Sequence, residues 1–194
     1  MDAINVWFYR QLAVGATLFK RPERALEYWE RIRALRPLDP RVIASIAHMH
    51  AAAGRRDAAI ELMTRSLELD PKQAATWFNL GYLQQETNRH EQAIAAFDRA
   101  IALDEKLDRA YYGKALSLIK TDRIDAAIPL LLKNIELQPM SPFGFYQLAH
   151  AYHRLGAADK VARTIRKLAD FEPKVAKQLE RETGVVVGVK TLSD

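Results

Sequence analysis

The chain repeats itself with a period of 34 residues, five times in register from residue 6 to residue 175. With Val6 as the first position, the eighth position is always small: Ala13, Ala47, Gly81, Ala115 and Ala149. The fourth position is always large: Tyr9, Ile43, Trp77, Tyr111 and Phe145. Small residues let two helix backbones approach closely, and large residues fill the space beside them. The period therefore predicts an array in which each repeat packs only against its neighbours.

Each repeat carries the signals of two helices. Apolar residues recur three and four apart, as in Ile94, Phe97 and Ile101, which is the spacing of one helix face. The fifteenth position holds Lys20, Gly54, Asn88, Asp122 and Gly156. Four of these five tolerate the left-handed backbone conformation that ends a helix. Asp39 and Ser141 each precede a proline and are predicted to cap the next helix. The chain is therefore predicted to be all-α, with about ten helices and a short C-terminal capping helix.

The third repeat carries the clearest family signature. Its motif residues are Trp77, Phe78, Asn79, Leu80, Gly81, Ala93, Phe97 and Ala100. This pattern resembles the tetratricopeptide repeat, and the flanking repeats match it in phase over residues 6–175. The resemblance implies a right-handed superhelical solenoid. Pro129 falls inside the second helix of the fourth repeat, where it should kink the helix or remove one backbone hydrogen bond.

The expected organisation is one solenoid domain over residues 1–183. Its repeats are predicted at 6–39, 40–73, 74–107, 108–141 and 142–175, with a capping helix at 174–183. Val175 and Leu179 supply the apolar side of that helix, and Lys177, Glu180 and Glu182 are expected to point away from it. Residues 184–194 are rich in valine and are predicted to form a flexible tail, the alternative being a strand added to a partner.

The resemblance also implies a binding groove lined by the first helix of each repeat. Carried over residue by residue, it contains Arg41, His48, Phe78, Asn79, Tyr82, Arg109, Tyr112, Lys120, Phe143, Tyr146, Gln147, His150, His153 and Arg154. Rigid aromatic side chains with a polar tip suit a bound peptide or amphipathic helix. The alternative is that these rings rest on neighbouring parts of the chain.

The first helix predicts a second surface. Its side chains are apolar almost all round, including Trp7 and Phe8, and no earlier helix is expected to cover them. Contiguous apolar patches of this kind mark interfaces. We therefore expect this helix to dock against another protein or a second copy of the chain as a homodimer, the alternative being that it folds inward.

The positive charge of the chain is concentrated at its beginning. Residues 1–56 hold ten Lys and Arg against five Asp and Glu, whereas residues 57–194 hold 19 of each. A local positive field attracts acidic partners and can hold a phosphate backbone. The simpler interpretation is a solvated basic face, and aromatic residues are not interleaved with the arginines as nucleic-acid stacking requires.

Several function classes are disfavoured. The chain has no cysteine, so disulfides and thiolate metal sites are excluded. The apolar segment 6–19 is shorter than the roughly 20 residues that a membrane-spanning helix needs, and no secretory signal is visible, which favours a cytoplasmic protein. His150 and His153 lack a third metal ligand, and no catalytic motif or cofactor loop appears.

The predicted function is a non-catalytic protein–protein interaction scaffold or adaptor that binds a peptide or helix of a partner in its groove. A self-associating structural protein that docks through its first helix is one alternative. Nucleic-acid binding through the basic N-terminal repeats is another.

Overall fold

The computed structural model describes residues 2–190, and this part of the chain contains eleven α-helices and no strand. The helices are α1 (Asp2–Leu18), α2 (Pro22–Leu35), α3 (Pro40–Ala52), α4 (Arg56–Leu69), α5 (Ala74–Glu86), α6 (His90–Leu103), α7 (Asp108–Lys120), α8 (Ile124–Leu137), α9 (Pro142–Arg154), α10 (Ala158–Ala169) and α11 (Pro173–Thr183). The all-α helical-repeat fold is confirmed, with two helices for each 34-residue period.

The turn inside each repeat forms at the predicted position. All five residues at the fifteenth position have positive φ angles, between 53° and 76°. Lys20, the residue that the sequence did not favour there, adopts this conformation because the helix end supplies two hydrogen bonds. Its N–H donates to the Thr17 carbonyl at 3.0 Å, and the next N–H, of Arg21, donates to the Ala16 carbonyl at 2.8 Å. This pair of bonds is a Schellman-type helix end.

The two predicted helix caps have different outcomes. Asp39 accepts hydrogen bonds from the backbone N–H groups of Arg41 at 2.9 Å and Val42 at 3.4 Å, so it caps α3 as predicted. Ser141 precedes α9 but makes no side-chain cap hydrogen bond. The prediction of a side-chain cap at Ser141 is therefore wrong, and Pro142 at the first turn is the start signal that remains.

The described residues divide into two compact units, an N-terminal unit that ends at Leu103 and a C-terminal unit that begins at Asp104. In the N-terminal unit, α1 pairs with α2, α3 with α4 and α5 with α6, and each pair contacts the next. Its interior includes Met63, Leu67 and Leu80, all nearly inaccessible to solvent. Phe97 is fully buried, and a Cβ on Gly81 would lie 2.9 Å from its ring. The small residue at the eighth position therefore makes room for the aromatic ring of the partner helix.

The C-terminal unit pairs α7 with α8 and α9 with α10, and α11 packs on α10 and α9. Its interior includes Val161, Ile165 and Leu179, which are fully buried. Helix α8 continues through Pro129, whose ring is exposed to solvent, so the repeat keeps its second helix. The single solenoid domain over residues 1–183 stays a prediction.

A buried asparagine sets the spacing between α8 and α9. Asn134 is 5% exposed, and its amide nitrogen donates to the Asp108 carbonyl at 3.1 Å. A Cβ on Gly144 would lie 2.5 Å from the Asn134 Oδ1 atom and 2.8 Å from Ile135. Glycine at residue 144 thus allows α9 to approach a polar side chain at a position where a typical repeat has alanine.

The C-terminal segment differs from the sequence prediction. A flexible tail is predicted from residue 184, but the structure packs Val185, Val187 and Val189 against the interior of the C-terminal unit. The reason is Glu180, predicted to point to solvent but only 7% exposed. Its Oε1 atom accepts hydrogen bonds from three successive backbone N–H groups of the segment, those of residues 187, 188 and 189, at 2.6, 2.7 and 3.2 Å. The last predicted tail residues, 191–194, lie outside the described residues.

Candidate interaction surfaces

The predicted groove residues of the N-terminal unit lie on α3 and α5. Arg41 and His48 are exposed on α3. On α5, Tyr82 is 49% exposed, whereas Asn79 is half-buried. Phe78 is also half-buried, because its ring packs on the buried Phe97 ring with centroids 6.0 Å apart. Tyr82 is therefore the aromatic side chain of this group that is most available to a partner.

In the C-terminal unit, α7 and α9 bring two predicted groove residues together. Tyr112 and Gln147 are both half-buried and share a side-chain hydrogen bond. Burial raises the pKa of the Tyr112 hydroxyl, and the bond from Gln147 partly opposes this rise. The Tyr112 phenol therefore stays protonated at neutral pH and presents a polar group beside an apolar ring.

Two further groove residues bind the capping helix instead of remaining free. Tyr146 donates its hydroxyl proton to Glu182 at 2.8 Å, and the His150 Nε2 atom lies 3.0 Å from the same carboxylate oxygen. The Tyr146 and His150 rings are 4.7 Å apart in an edge-on arrangement. Gln178, one turn earlier on α11, donates to the other carboxylate oxygen at 2.7 Å. At the C-terminal end of the predicted groove, α11 therefore contributes side chains of its own to the surface.

The electrostatics of this cluster follow from its hydrogen bonds. Bonds from Gln178 and Tyr146 lower the pKa of the Glu182 carboxyl, with a further contribution from His150. The same carboxylate raises the pKa of the Tyr146 hydroxyl. Sequence reasoning missed the role of Glu182, although the Gln178–Glu182 spacing of four residues indicates two side chains on one face of a helix.

The remaining groove residues of the C-terminal unit lie at its surface. Arg154 pairs with Asp122 at 2.7 Å, and both side chains are largely exposed. Phe143 is 66% exposed at the first turn of α9. The other three, Arg109, Lys120 and His153, are exposed.

Helix α1 exposes more large apolar side chains than any other helix in the described part of the N-terminal unit. Trp7 is 63% exposed and Phe8 52%, while Leu18 and Phe19 reach 77% and 79%. Val6 and Ala13 are buried instead and anchor α1 to the core. Ile4, Trp7, Val14 and Leu18 recur along one stripe of the helix, since residues three or four apart share a face.

This stripe borders a pocket between α1 and α3. The pocket has a volume of about 350 Å³, and Val14, Leu18, Trp29 and Met49 form its apolar part. His48 adds a polar edge. Sequence reasoning placed His48 in the groove but assigned α1 to a separate docking surface. In the structure, residues of both surfaces line the same pocket.

The basic residues of the first repeats divide into two groups. Some are paired: Arg33 with Glu30 at 2.7 Å, Arg55 with Glu23 at 3.4 Å and Arg56 with Glu86 at 3.8 Å. Others are exposed and form no ion pair with another described residue: Arg10, Lys20, Arg21, Arg24, Arg31, Arg36 and Arg41. The positive field that the sequence predicts thus rests mainly on this second group.

Two other features were sought in residues 2–190, a metal site and a membrane-spanning helix. No cluster of three or more His, Cys, Asp or Glu side chains in this range has the arrangement of a metal site. None of its helices combines the length and the apolar character that crossing a membrane requires.

Comparison with known proteins now defines the family. Three tetratricopeptide repeat models match residues 20–74, 50–113 and 108–139. The chain belongs to the tetratricopeptide repeat family. Proteins with this repeat are interaction scaffolds, and that general role applies here. No curated protein sequence matches this tetratricopeptide repeat protein.

Solved structures share the fold of this tetratricopeptide repeat protein. A crystal structure of MamA is similar with a TM-score of 0.81 and 22% identity, over 89% of this chain and 94% of MamA. MamA from Desulfovibrio magneticus RS-1 is similar with a TM-score of 0.79 and 19% identity, over 92% and 96% of the two chains. YrrB, a tetratricopeptide repeat protein with an unusual peptide-binding site, has a TM-score of 0.78 and 17% identity, over 89% and 90%. At these identities the likeness concerns the fold alone.

Proposed function

We propose that this protein is a non-catalytic scaffold that holds an apolar helical segment of a partner protein against α1 and α3. The observation that carries the proposal is the pocket between these helices, open to solvent and lined by Val14, Leu18 and Met49. An apolar pocket beside a long exposed apolar stripe is the arrangement that receives the anchors of an amphipathic helix.

The size of the pocket favours side chains over a cofactor. At about 350 Å³ it lies at the low end of the roughly 300–1,000 Å³ that ligand pockets occupy. One or two aliphatic or aromatic anchors fill such a volume. The His48 and Ser45 side chains at its edge provide polar groups that can orient the bound segment.

The surrounding charge favours an acidic partner. Arg10 on α1 and Arg41 on α3 are exposed, and neither forms an ion pair with another described residue. Asp or Glu residues flanking the apolar anchors of the partner would meet these guanidinium groups. Such rim contacts raise association rates more than they raise affinity.

The groove residues of the later repeats extend the proposal. In the N-terminal unit, Tyr82 on α5 would contact a further part of the partner segment. In the C-terminal unit, Tyr112 on α7 and Phe143 on α9 are candidate contacts for a peptide. The likeness to YrrB, a tetratricopeptide repeat protein with an unusual peptide-binding site, supports a peptide as the class of ligand.

The proposal is tested with peptides from a displayed random library selected against the full chain. Affinities of the selected peptides are measured by fluorescence anisotropy for the wild type and for Leu18→Asp. Because Leu18 is 77% exposed, the substitution should leave the fold intact. We expect it to weaken binding by about tenfold or more, since a carboxylate then faces the apolar anchors.

Leu38→Asp is the matched control. Leu38 is 66% exposed and lies between α2 and α3, outside the pocket, so its replacement should change affinity less than about twofold. Equal affinity of the wild type and Leu18→Asp for every selected peptide would refute the assignment.

A second candidate function is self-association through α1. The exposed Trp7, Phe8 and Phe19 side chains favour it, because large exposed aromatic residues are costly to leave in water. Sedimentation of the wild type and of a Trp7→Ser, Phe8→Ser variant tests this function. A concentration-dependent dimer that the variant loses supports it, and a monomer in both contradicts it.

A further inference from the structure

The C-terminal unit contains a second apolar pocket, away from the predicted groove. It has a volume of about 270 Å³ and lies between α8, α9 and α10. Its buried floor is formed by Phe145 and Leu148, which are 7% and 4% exposed, and Tyr152 on the next turn of α9 lines it. These three residues are three and four apart, so they share one face of α9.

The predicted groove uses the opposite face of the same helix. Its residues on α9 include Tyr146, His150 and Arg154, which are again four apart. At 100° per residue, this set lies roughly on the far side of the helix from Phe145 and Leu148. A partner in the predicted groove would therefore leave the second pocket accessible.

The rim of the pocket is basic. Lys160, Arg163 and Lys167 line it from successive turns of α10, and no acidic residue is among the described residues that line it. None of the three cations forms an ion pair with another described residue, although the Lys160 ammonium lies 5.2 Å from the centre of the Tyr152 ring. The row of cations on α10 therefore remains available to an external anion.

The wall opposite the cations is apolar. Leu132 and Ile135 on α8 face the pocket, and Leu132 is 47% exposed. The site thus combines an apolar floor, an apolar wall and one cationic edge. Its volume is below the roughly 300 Å³ at which small-molecule pockets begin, so it suits one or two side chains.

We propose that this pocket docks an acidic amphipathic segment of a partner protein, with an aliphatic or aromatic anchor on Phe145 and carboxylates on α10. Charge complementarity selects this occupant. An anchor in the pocket places the partner's Asp or Glu side chains, three or four residues away on its own helix, beside Arg163 and Lys167. Through two separate surfaces, the scaffold would then hold two segments at once.

The test uses a displayed library of amphipathic peptides, with Glu and Asp on one face and random apolar anchors on the other. Peptides selected against the full chain are measured by fluorescence anisotropy. We expect Arg163→Glu and Leu132→Asp each to reduce affinity by about tenfold or more, because they reverse the cationic edge and charge the apolar wall.

Two matched controls lie close by on the same unit. Arg166→Glu makes the same charge change on α10 at an exposed residue that does not line the pocket, and Leu155→Asp makes the same apolar-to-acidic change at a residue that is 41% exposed. Both should change affinity less than about threefold, as expected away from the contact. Leu18→Asp in the N-terminal unit should leave the affinity for these peptides unchanged.

Three results would overturn the proposal. The first is the failure of every library peptide to bind. The second is an equal loss of affinity for Arg163→Glu and Arg166→Glu, which would show attraction to net charge alone. The third is that Arg163→Glu abolishes binding to vesicles of anionic phospholipid but leaves peptide binding unchanged, which would assign the site to a membrane surface.

Discussion

The contact between Glu180 and the C-terminal segment leads to a quantitative prediction. The side chain of Glu180 is buried, and one of its oxygens accepts the N–H groups of Val187, Gly188 and Val189. Lys177 donates to the Val189 carbonyl at 3.2 Å from the same helix. We expect Glu180→Ala to release the segment 185–190 from α11 while leaving the helices folded.

The size of the effect follows from the bonds that are lost. A hydrogen bond to a charged group contributes about 1.5–3 kcal/mol, but here the three donors share one oxygen. Gly188 is also exposed, so water can replace the carboxylate as the acceptor of its N–H group. Only part of the sum is therefore lost, and we expect a local destabilisation of about 2–3 kcal/mol. Since 1.4 kcal/mol corresponds to a factor of ten, amide exchange in the segment should accelerate roughly 30- to 140-fold.

The assay is hydrogen–deuterium exchange at residues 187–189, followed by NMR. Glu182→Ala is the control, because the Glu182 carboxylate binds Tyr146 and His150 and makes no bond to the segment. The control should leave the exchange at residues 187–189 unchanged. The same exchange rates in Glu180→Ala and in the wild type would refute the reasoning.

Three further predictions concern packing, pH and a surface ion pair. Gly144→Ala should lower the free energy of unfolding, measured in urea, by about 1–3 kcal/mol, because its Cβ would overlap Asn134. Gly15→Ala, whose new Cβ would meet no described side chain within 4 Å, should instead raise it by about 0.5–1 kcal/mol. Burial raises the pKa of the Glu180 carboxyl, but bonds from the backbone N–H groups outweigh this, and the folded pKa lies below the ordinary 4.5. Its stabilisation is thus complete above pH 4.5 and lost as the pH falls through the folded pKa, so exchange at residues 187–189, corrected for intrinsic rates, should accelerate there and not at neutral pH. Asp57→Ala should cost less than about 1 kcal/mol in urea unfolding, because the side chain is 80% exposed, and a larger loss would contradict the assignment of its ion pair as a surface contact.

Much of the fold is readable from local patterns. The column Gly54, Asn88, Asp122 and Gly156 predicts the left-handed turn in four repeats, and the structure has it at all of them. The Asp39 cap is predicted by an acceptor before a proline, and its two hydrogen bonds form. These features depend on a few consecutive residues, so the sequence alone is enough to predict them.

The candidate sites are harder to predict from the sequence, because they depend on residues far apart in the chain. His48 is predicted as a groove residue, but its apolar neighbours Val14 and Leu18 come from the preceding repeat. Tyr146 is predicted as free for a partner, yet it binds Glu182, 36 residues later. Periodicity indicates which face of a helix a side chain occupies, and it does not indicate which side chain of the next helix it meets.

The sequence by itself determined the repeat length, the two helices in each repeat and the small and large positions between them. Those properties follow from the spacing of side chains along one helix and from local turn chemistry. The tertiary structure alone decided that α1 and α3 enclose a pocket, that α11 reaches Tyr146 and His150, and that a buried Glu180 carboxylate holds the valine-rich segment. The physical reason is that these contacts join atoms of separate helices, or of a helix and the segment that follows it. Only the folding of the chain brings such atoms within contact distance.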